Sequence, residues 1–328
     1  MKRLGLVGYF NFGNYGDQLF LKVFDELFPD FELKVMHSLS RAPYFTGNLS
    51  KKVGGMDGIL IGGGDLVIPW ALSDLYWRGE YLEKPVFIVG VGVPTWGGKD
   101  DGVIKKMSDF FQHSNIKYIH CRDAKSADWI RKTLKPKIEV HHSADIACSL
   151  DYTQPHNGNH SQRIFGLITR TQSNKDYSNI EALCHRAIEF GYKVNHIILG
   201  TDNIRKSDLS VLEHFDFPYQ TIIERDSIDE LTNEIAKCSV VCSMKFHGCV
   251  AAYMIGIPII SLSKADKFVS FFQDIQKEIF LSVANDKTLP SRLINPMYRI
   301  SQSQVQELRA NVKLSLLKFR HDLIEELT

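Results

Sequence analysis

Neither sign of charge prevails in this chain, in which 39 lysines and arginines stand against 38 aspartates and glutamates for a formal net charge of +1. That balance excludes the long-range basic field on which nucleic-acid binding depends, while leaving room for a local basic pocket. Long hydrophobic runs are also missing. A membrane span needs about 20 consecutive apolar residues; the longest candidate, Cys249 to Leu262, has 14 and is interrupted by Gly256 and Pro258. The opening MKRLGLVGYFNFG is broken by glycine and asparagine too early for a signal peptide. The cysteines, Cys121, Cys148, Cys184, Cys238, Cys242 and Cys249, form no CxxC pair with metal-ligand spacing. They lie in apolar runs and read as buried thiols of a reducing compartment. A cytoplasmic location is expected, without an integral membrane segment and with peripheral membrane association left open. Internal repeats and low-complexity tracts are absent as well.

What the chain does have is 328 residues, 44% of them hydrophobic, enough for two cores. Short β-rich runs alternate with helix-like segments: RLGLVGYF then QLFLKVFDELF, DGILIGGG, PVFIVGVGV, IKYIHCRD then AKSADWIRKTL, and IEVHHSADIA. Such alternation predicts strands buried on both faces with crossover helices, hence a parallel doubly wound sheet. The polar stretch DYTQPHNGNHSQR, Asp151 to Arg163, breaks the rhythm and reads as a linker. The pattern then restarts with RIFGLITR, NIEALCHRAIEFGY, KVNHIILG, YQTIIE and a helix whose Ser227 and Glu230 have capping-box spacing. From Gln302 onward Val305, Leu308, Val312, Leu316 and Leu323 recur at helical spacing, which predicts a terminal packing helix. The expected fold is α/β, with two Rossmann-like doubly wound domains facing across a cleft: an N-terminal domain over 1–155, a C-terminal domain over 156–300, and a helix over 301–328.

Four stretches could carry chemistry. GYFNFGNYGDQ, Gly8 to Gln18, lies between a strand and a helix, where free N–H groups suit an anion or a sugar hydroxyl. Its spacing does not make the dinucleotide fingerprint GxGxxG. Tyr9, Phe12 and Tyr15 favour a binding surface, and a turn with Asp17 as helix N-cap is the competing reading. DGILIGGGDLV, Asp57 to Val67, ends a strand in three glycines that admit close approach of a ligand or of a packed helix. In GLITRTQSNKD, Arg170 ends a strand, where its guanidinium could grip a carboxylate or phosphate or form a surface salt bridge.

The fourth stretch is SMKFHGCVAAYMIGIPIISLSKADKF. Lys245 and His247 sit at a strand-to-helix corner and Lys264 and Lys267 follow the next strand. Carboxyl ends of strands rim the ligand crevice of an open α/β sheet, so Arg170, Lys245, His247, Lys264 and Lys267 would form a pocket for a compact anion. The competing reading makes His247 a helix cap or the partner of a neighbouring carbonyl. His141, His142, His156 and His160 lack the spacing and flanking carboxylates of a metal site. Arg122 with Asp123, in RDAKS, reads either as a cleft-side pair or as a helix cap.

In order, GYFNFGNYGDQ, DGILIGGGDL, VGVGVP, CRDAKS, HSADIA, Arg170 and SMKFHG…GIPIISLSKADK resemble the polysaccharide pyruvyl transferase family over roughly Gly5 to Val269. The resemblance implies a GT-B-like architecture. It also implies transfer of the enolpyruvyl unit of phosphoenolpyruvate onto two hydroxyls of a sugar, giving a pyruvate ketal in exopolysaccharide or capsule biosynthesis. His247 matches the family histidine and is implied as the general acid. Arg170 and Lys267 match family positions suited to the anionic groups of phosphoenolpyruvate; with the strand-end Lys245 and Lys264 they are the expected phosphoenolpyruvate contacts, and Asn14, Tyr15, Asp17, Gly63, Gly64 and Asp65 the expected acceptor-side candidates. The acceptor would be a glycan or a lipid-linked or nucleotide-linked precursor; no cofactor, metal or nucleic acid is implied. One departure is Lys245, where the family commonly has arginine in S-x-R-x-H. A glycosyltransferase using a nucleotide sugar and a non-catalytic glycan-binding relative are the alternatives.

Overall fold

The computed structural model describes residues 1–40, 43–152, 163–294 and 299–328. Most of the expected linker, the expected boundary at 155/156, His156 and His160 lie outside the described residues. The chain forms two compact units.

The first unit holds Met1–Phe12, Asp17–Ser149 and Arg309–Thr328. Among the described residues its strands are β1 (Lys2–Val7), β2 (Phe31–Val35), β3 (Gly58–Gly64), β4 (Val86–Val91), β5 (Ile116–Cys121) and β6 (Val140–His142). They run parallel in the order β2-β1-β3-β4-β5-β6. GILIGGG and VFIVGV are buried almost throughout, as central strands covered on both faces must be. β2 was not expected from the sequence. FELKV is partly exposed along its length because it is the sheet's edge, so it lacks the apolar run that marks the central strands.

The helices of this part are α1 (Tyr15–Leu27), α2 (Leu49–Gly54), α3 (Asp101–Phe111) and α4 (Ala124–Thr133). Asp100 caps α3 by accepting from Val103 N at 2.9 Å, and Asp123 caps α4 by accepting from Ser126 N at 2.7 Å. The long C-terminal helix α10 (Gln302–Leu327) contributes Phe319, which packs on Phe28, Phe87 and Tyr118 with ring centroids 4.9–6.1 Å apart. Val305, Val312, Leu316 and Leu323 are buried, as the helical spacing predicts, while residues 302–308 group with the second unit.

The second unit holds Leu150–Leu308 and, from the start of the chain, Gly13–Gly16. Its strands are β7 (Arg163–Ile168), β8 (Tyr192–Ile197), β9 (Gln220–Ile223), β10 (Val240–Ser243) and β11 (Ile259–Ser261), parallel in the order β11-β10-β7-β8-β9. Between them run α5 (Ser178–Glu189), α6 (Asp202–Leu209), α7 (Ile228–Ala236), α8 (Phe246–Ile255) and α9 (Asp266–Asp274). Ser227 and Glu230 close a reciprocal capping box at the start of α7. α8 ends where Gly256 turns left-handed at φ 92° and Ile257 N donates to Ala252 O at 2.8 Å, with Pro258 next.

Each sheet reverses its strand order once. The first does so between β1 and β3, the second between β7 and β10. At such a reversal the flanking loops diverge to opposite faces and leave a crevice at the carboxyl ends.

Candidate functional site

Arg170 follows β7, and Lys245 and His247 follow β10, so these residues flank the reversal of the second sheet. Ser243 shapes the corner by donating to Lys245 O at 2.8 Å and accepting from Lys245 N at 3.0 Å. A Cβ at Gly248 would fall 2.6 Å from Ser243 Oγ, so only glycine lets α8 begin this close to the strand. Lys245 occupies the N-cap position without a side-chain cap bond, and His247 lies in the first turn. His247 is therefore not the helix cap.

The imidazole of His247 is half-buried. Its ring centroid lies 5.1 Å from that of Phe246, and the Lys267 ammonium lies 5.8 Å above the same phenyl ring. Arg170 and Lys264 are exposed, Lys264 in the loop after β11. Lys245 behaves differently from the expectation of an anion contact. Its Nζ forms an ion pair with the carboxylate of buried Asp208, which also accepts from Gly200 N at 2.7 Å. Burial pushes the Lys245 ammonium below the usual lysine range; Asp208 opposes that shift and Arg170 adds to it. A short, already neutralised lysine thus stands where a planar guanidinium would reach farther. Asp208 carries no local signature: it is one of several charges on α6, and only folding brings it to Lys245.

The loop that opens the chain's first helix also belongs to this unit. Gly13 O accepts from Thr201 N at 2.8 Å, and Asn14 Oδ1 caps α1 through Gly16 N at 3.0 Å. Asn14, not Asp17, fills the capping role. Gly16 packs on the catalytic candidate itself, since a Cβ there would fall 1.8 Å from His247 Nδ1. Tyr15, expected on the acceptor side, is buried, and its hydroxyl pairs with Thr232 Oγ1 at 2.6 Å. It anchors the loop and presents no hydroxyl to a ligand.

In the first unit, the loops after β1 and β3 flank the other reversal. Asp17 is nearly buried there, and a Cβ at Gly64 would lie 3.7 Å from its Oδ1. Burial and then the Asp17 charge push the Tyr9 and Tyr76 phenols up. Gly63 has the structural role: at φ +82° it admits the Phe20 ring, which a Cβ would meet at 2.3 Å. Asp65 pairs with buried Arg122, whose Nε also lies 3.8 Å from Asp123. The helix-cap reading of RDAKS holds for Asp123, which caps α4, while Arg122 takes Asp65 as its nearer partner. All six cysteines are free and buried. Among the described residues, the one group with metal-ligating geometry is His321, Asp322 and Glu325 on α10, remote in sequence from these strand ends and lying on a charged helix surface.

The sequence profile described as Polysaccharide pyruvyl transferase matches residues 14–265, from the Asn14 cap through His247 to the loop after β11. The chain belongs to the polysaccharide pyruvyl transferase family. Among curated proteins none matches it. Solved structures that it resembles include UDP-GlcNAc 2-epimerase from Neisseria meningitidis bound to UDP-GlcNAc, at 14% identity and TM-score 0.58, covering 97% of this chain and 100% of that one. A glycotransferase of kitacinnamycin is similar at 9% identity and TM-score 0.54, over 100% and 99% of the two chains. The wall teichoic acid polymerase TagF is similar at 9% identity and TM-score 0.52, over 99% and 89%. At such identities the likeness establishes the fold, two parallel α/β sheets as in GT-B glycosyltransferases and epimerases, and nothing about substrate. Membership of the pyruvyl transferase family makes the protein a transferase. Among the described residues no helix is long and apolar enough to cross a membrane.

Proposed function

We propose that this pyruvyl transferase family member moves the enolpyruvyl group of phosphoenolpyruvate onto two hydroxyls of a glycan sugar or its lipid-linked or nucleotide-linked precursor. His247 donates a proton to the methylene carbon of phosphoenolpyruvate, which becomes the methyl group. Positive charge develops at C2, one sugar hydroxyl adds there, the C2–O bond to phosphate breaks, and the second hydroxyl closes the ketal. Two protons leave the hydroxyls as one enters the methyl group and one departs with phosphate. An imidazole carries one ring nitrogen that can give a proton and one that can take it, which suits a donor that must be reloaded at each turnover.

The observation that carries this reading is His247 at the reversal of the second sheet, with Arg170 across the strand gap and Lys267 beside the shared Phe246 ring. Arg170, Lys264 and Lys267 would take the phosphate and carboxylate, the charge stabilisation that phosphate departure needs. Lys245, held by Asp208, would tune this field and fix the corner. Asn14, Asp17, Gly64 and Asp65 remain the acceptor-side candidates.

Phosphate release from phosphoenolpyruvate should require a sugar acceptor and vanish in His247→Ala while the protein stays folded. Undiminished turnover in that variant removes His247 from the mechanism. A rise in melting temperature with uridine or guanosine diphosphate sugars, and none with phosphoenolpyruvate, would replace this reading with glycosyl transfer. Acceptor binding with no reaction under any donor would mark a glycan-binding relative.

A further inference from the structure

Trp96 is 76% exposed, an unusual state for a large aromatic ring. Its loop is not loose. The segment after β4 is tied to the segment after β3 by Gly92 N to Gly64 O at 2.8 Å, Val67 N to Gly92 O at 3.4 Å and Asp100 N to Pro69 O at 2.9 Å. Asp100 then caps α3. The Trp96 ring meets partly exposed Trp70, with centroids 4.7 Å apart and planes at 60°. Trp70 in turn lies against the backbone of Gly97, where a Cβ would fall 2.4 Å from its Cε2. Two indoles are thus held on a braced pair of loops at the carboxyl rim of the first sheet, in the segment that begins with Asp65 and its Arg122 partner.

We infer that Trp70 and Trp96 form a stacking platform for a pyranose ring, a carbohydrate subsite of the first unit; the inference rests on the pyruvyl transfer reading for the identity of its ligand as acceptor. A pyranose has one face of C–H groups, weakly positive, which matches the negative face of an indole, while its rim of hydroxyls needs fixed polar partners. The two indoles supply the first, and Asp65, earlier in the same loop and held by Arg122, is a fixed carboxylate of that segment for the second. A buried hydrophobic partner would need a wide apolar surface, and here two rings stand among Lys99, Asp100 and Asp101, which suits a small polyhydroxylated ligand better than a protein face.

Intrinsic fluorescence tests this without phosphoenolpyruvate, because Trp96 is the most exposed of four tryptophans. Titration with maltotriose, lactose, chitotriose and mannotriose should shift the emission to the blue with at least one of them. Trp96→Ala should abolish the shift and Trp96→Phe retain part of it. Gly97→Val, which displaces Trp70, should weaken binding about tenfold, the order expected for one lost stacking contact. No shift with any of the four sugars, or an equal shift in Trp96→Ala, overturns the platform. A shift with uridine monophosphate and with none of the sugars overturns it in favour of a nucleobase site. In turnover, Trp96→Ala should raise the acceptor KM about tenfold at nearly constant kcat. An unchanged acceptor KM with active enzyme defeats this inference alone, whereas sugar-dependent fluorescence without phosphate release defeats the pyruvyl transfer reading alone.

Discussion

Gly16 lies against His247 so closely that a single added methyl at position 16 would stand 1.8 Å from the imidazole Nδ1. Alanine in a helix is otherwise favoured over glycine by about 1 kcal/mol, whereas overpacking costs about 1–3 kcal/mol. The distance is far below any contact, so the clash prevails. Gly16→Ala should lower the melting temperature and cut phosphate release by at least as much as moving the imidazole by an ångström implies, about a hundredfold. Combining it with His247→Ala, which removes the obstructing ring, should restore the lost stability. Additive losses in the double variant would show that the two residues do not press on each other.

Asp208 should be indispensable to the corner that carries His247. Removing one partner of a buried ion pair leaves the other desolvated, at a cost of about 3–5 kcal/mol. Lys245 retains 19% side-chain exposure, which places Asp208→Ala toward the lower end, near about 3 kcal/mol. Urea unfolding measures this. The pair Asp208→Asn with Lys245→Met, close in shape, uncharged and still offering an amide oxygen to Gly200 N, should recover most of it, and no recovery would mean that the corner needs the charges themselves.

Tyr15→Phe separates anchoring from acceptor binding. Thr232 Oγ1 donates to Ile228 O at 2.7 Å, so the Tyr15 hydroxyl is the donor in its 2.6 Å bond to Thr232. Deleting it should cost about 1 kcal/mol of stability and leave the acceptor KM unchanged. A raised KM without a loss of stability would return Tyr15 to the sugar site.

Acid should weaken both units through buried neutral histidines. His196 of β8 is fully buried between Thr169 Oγ1 at 2.7 Å and Gln220 Oε1 at 2.8 Å, and burial pushes it down to about 4. In the first unit burial likewise pushes His37 down to about 4. Because an unfolded histidine titrates near 6.5, the unfolded chain takes up the proton first as pH falls. Stability is therefore full above about pH 6.5 and declines toward pH 4, by about 3 kcal/mol for His196. Denaturant midpoints across that range measure it; a flat profile, or an imidazolium at position 196 in the folded protein at pH 5, contradicts the assignment.

Central strands were legible in the sequence because burial on both faces leaves unbroken apolar runs, as in GILIGGG and VFIVGV, while the edge strand FELKV was missed for lack of one. Ser227 with Glu230 announced a helix start because capping is a local affair of a few residues. Trp96 went unnoticed because exposure has no local signature, and Tyr15 was misread because an aromatic in a glycine-rich loop looks the same whether it faces solvent or anchors the loop.

By itself the sequence determined the α/β alternation, the two sheets and the set of polar residues at strand ends, since each follows from patterns shorter than about ten residues. Tertiary structure alone decided that Lys245 would meet Asp208, that Gly16 would press on His247 and that Trp70 would lie on Gly97. Those contacts join residues distant along the chain or turned by loop conformation, and their geometry depends on where parallel strands deliver their loops, which no local pattern encodes.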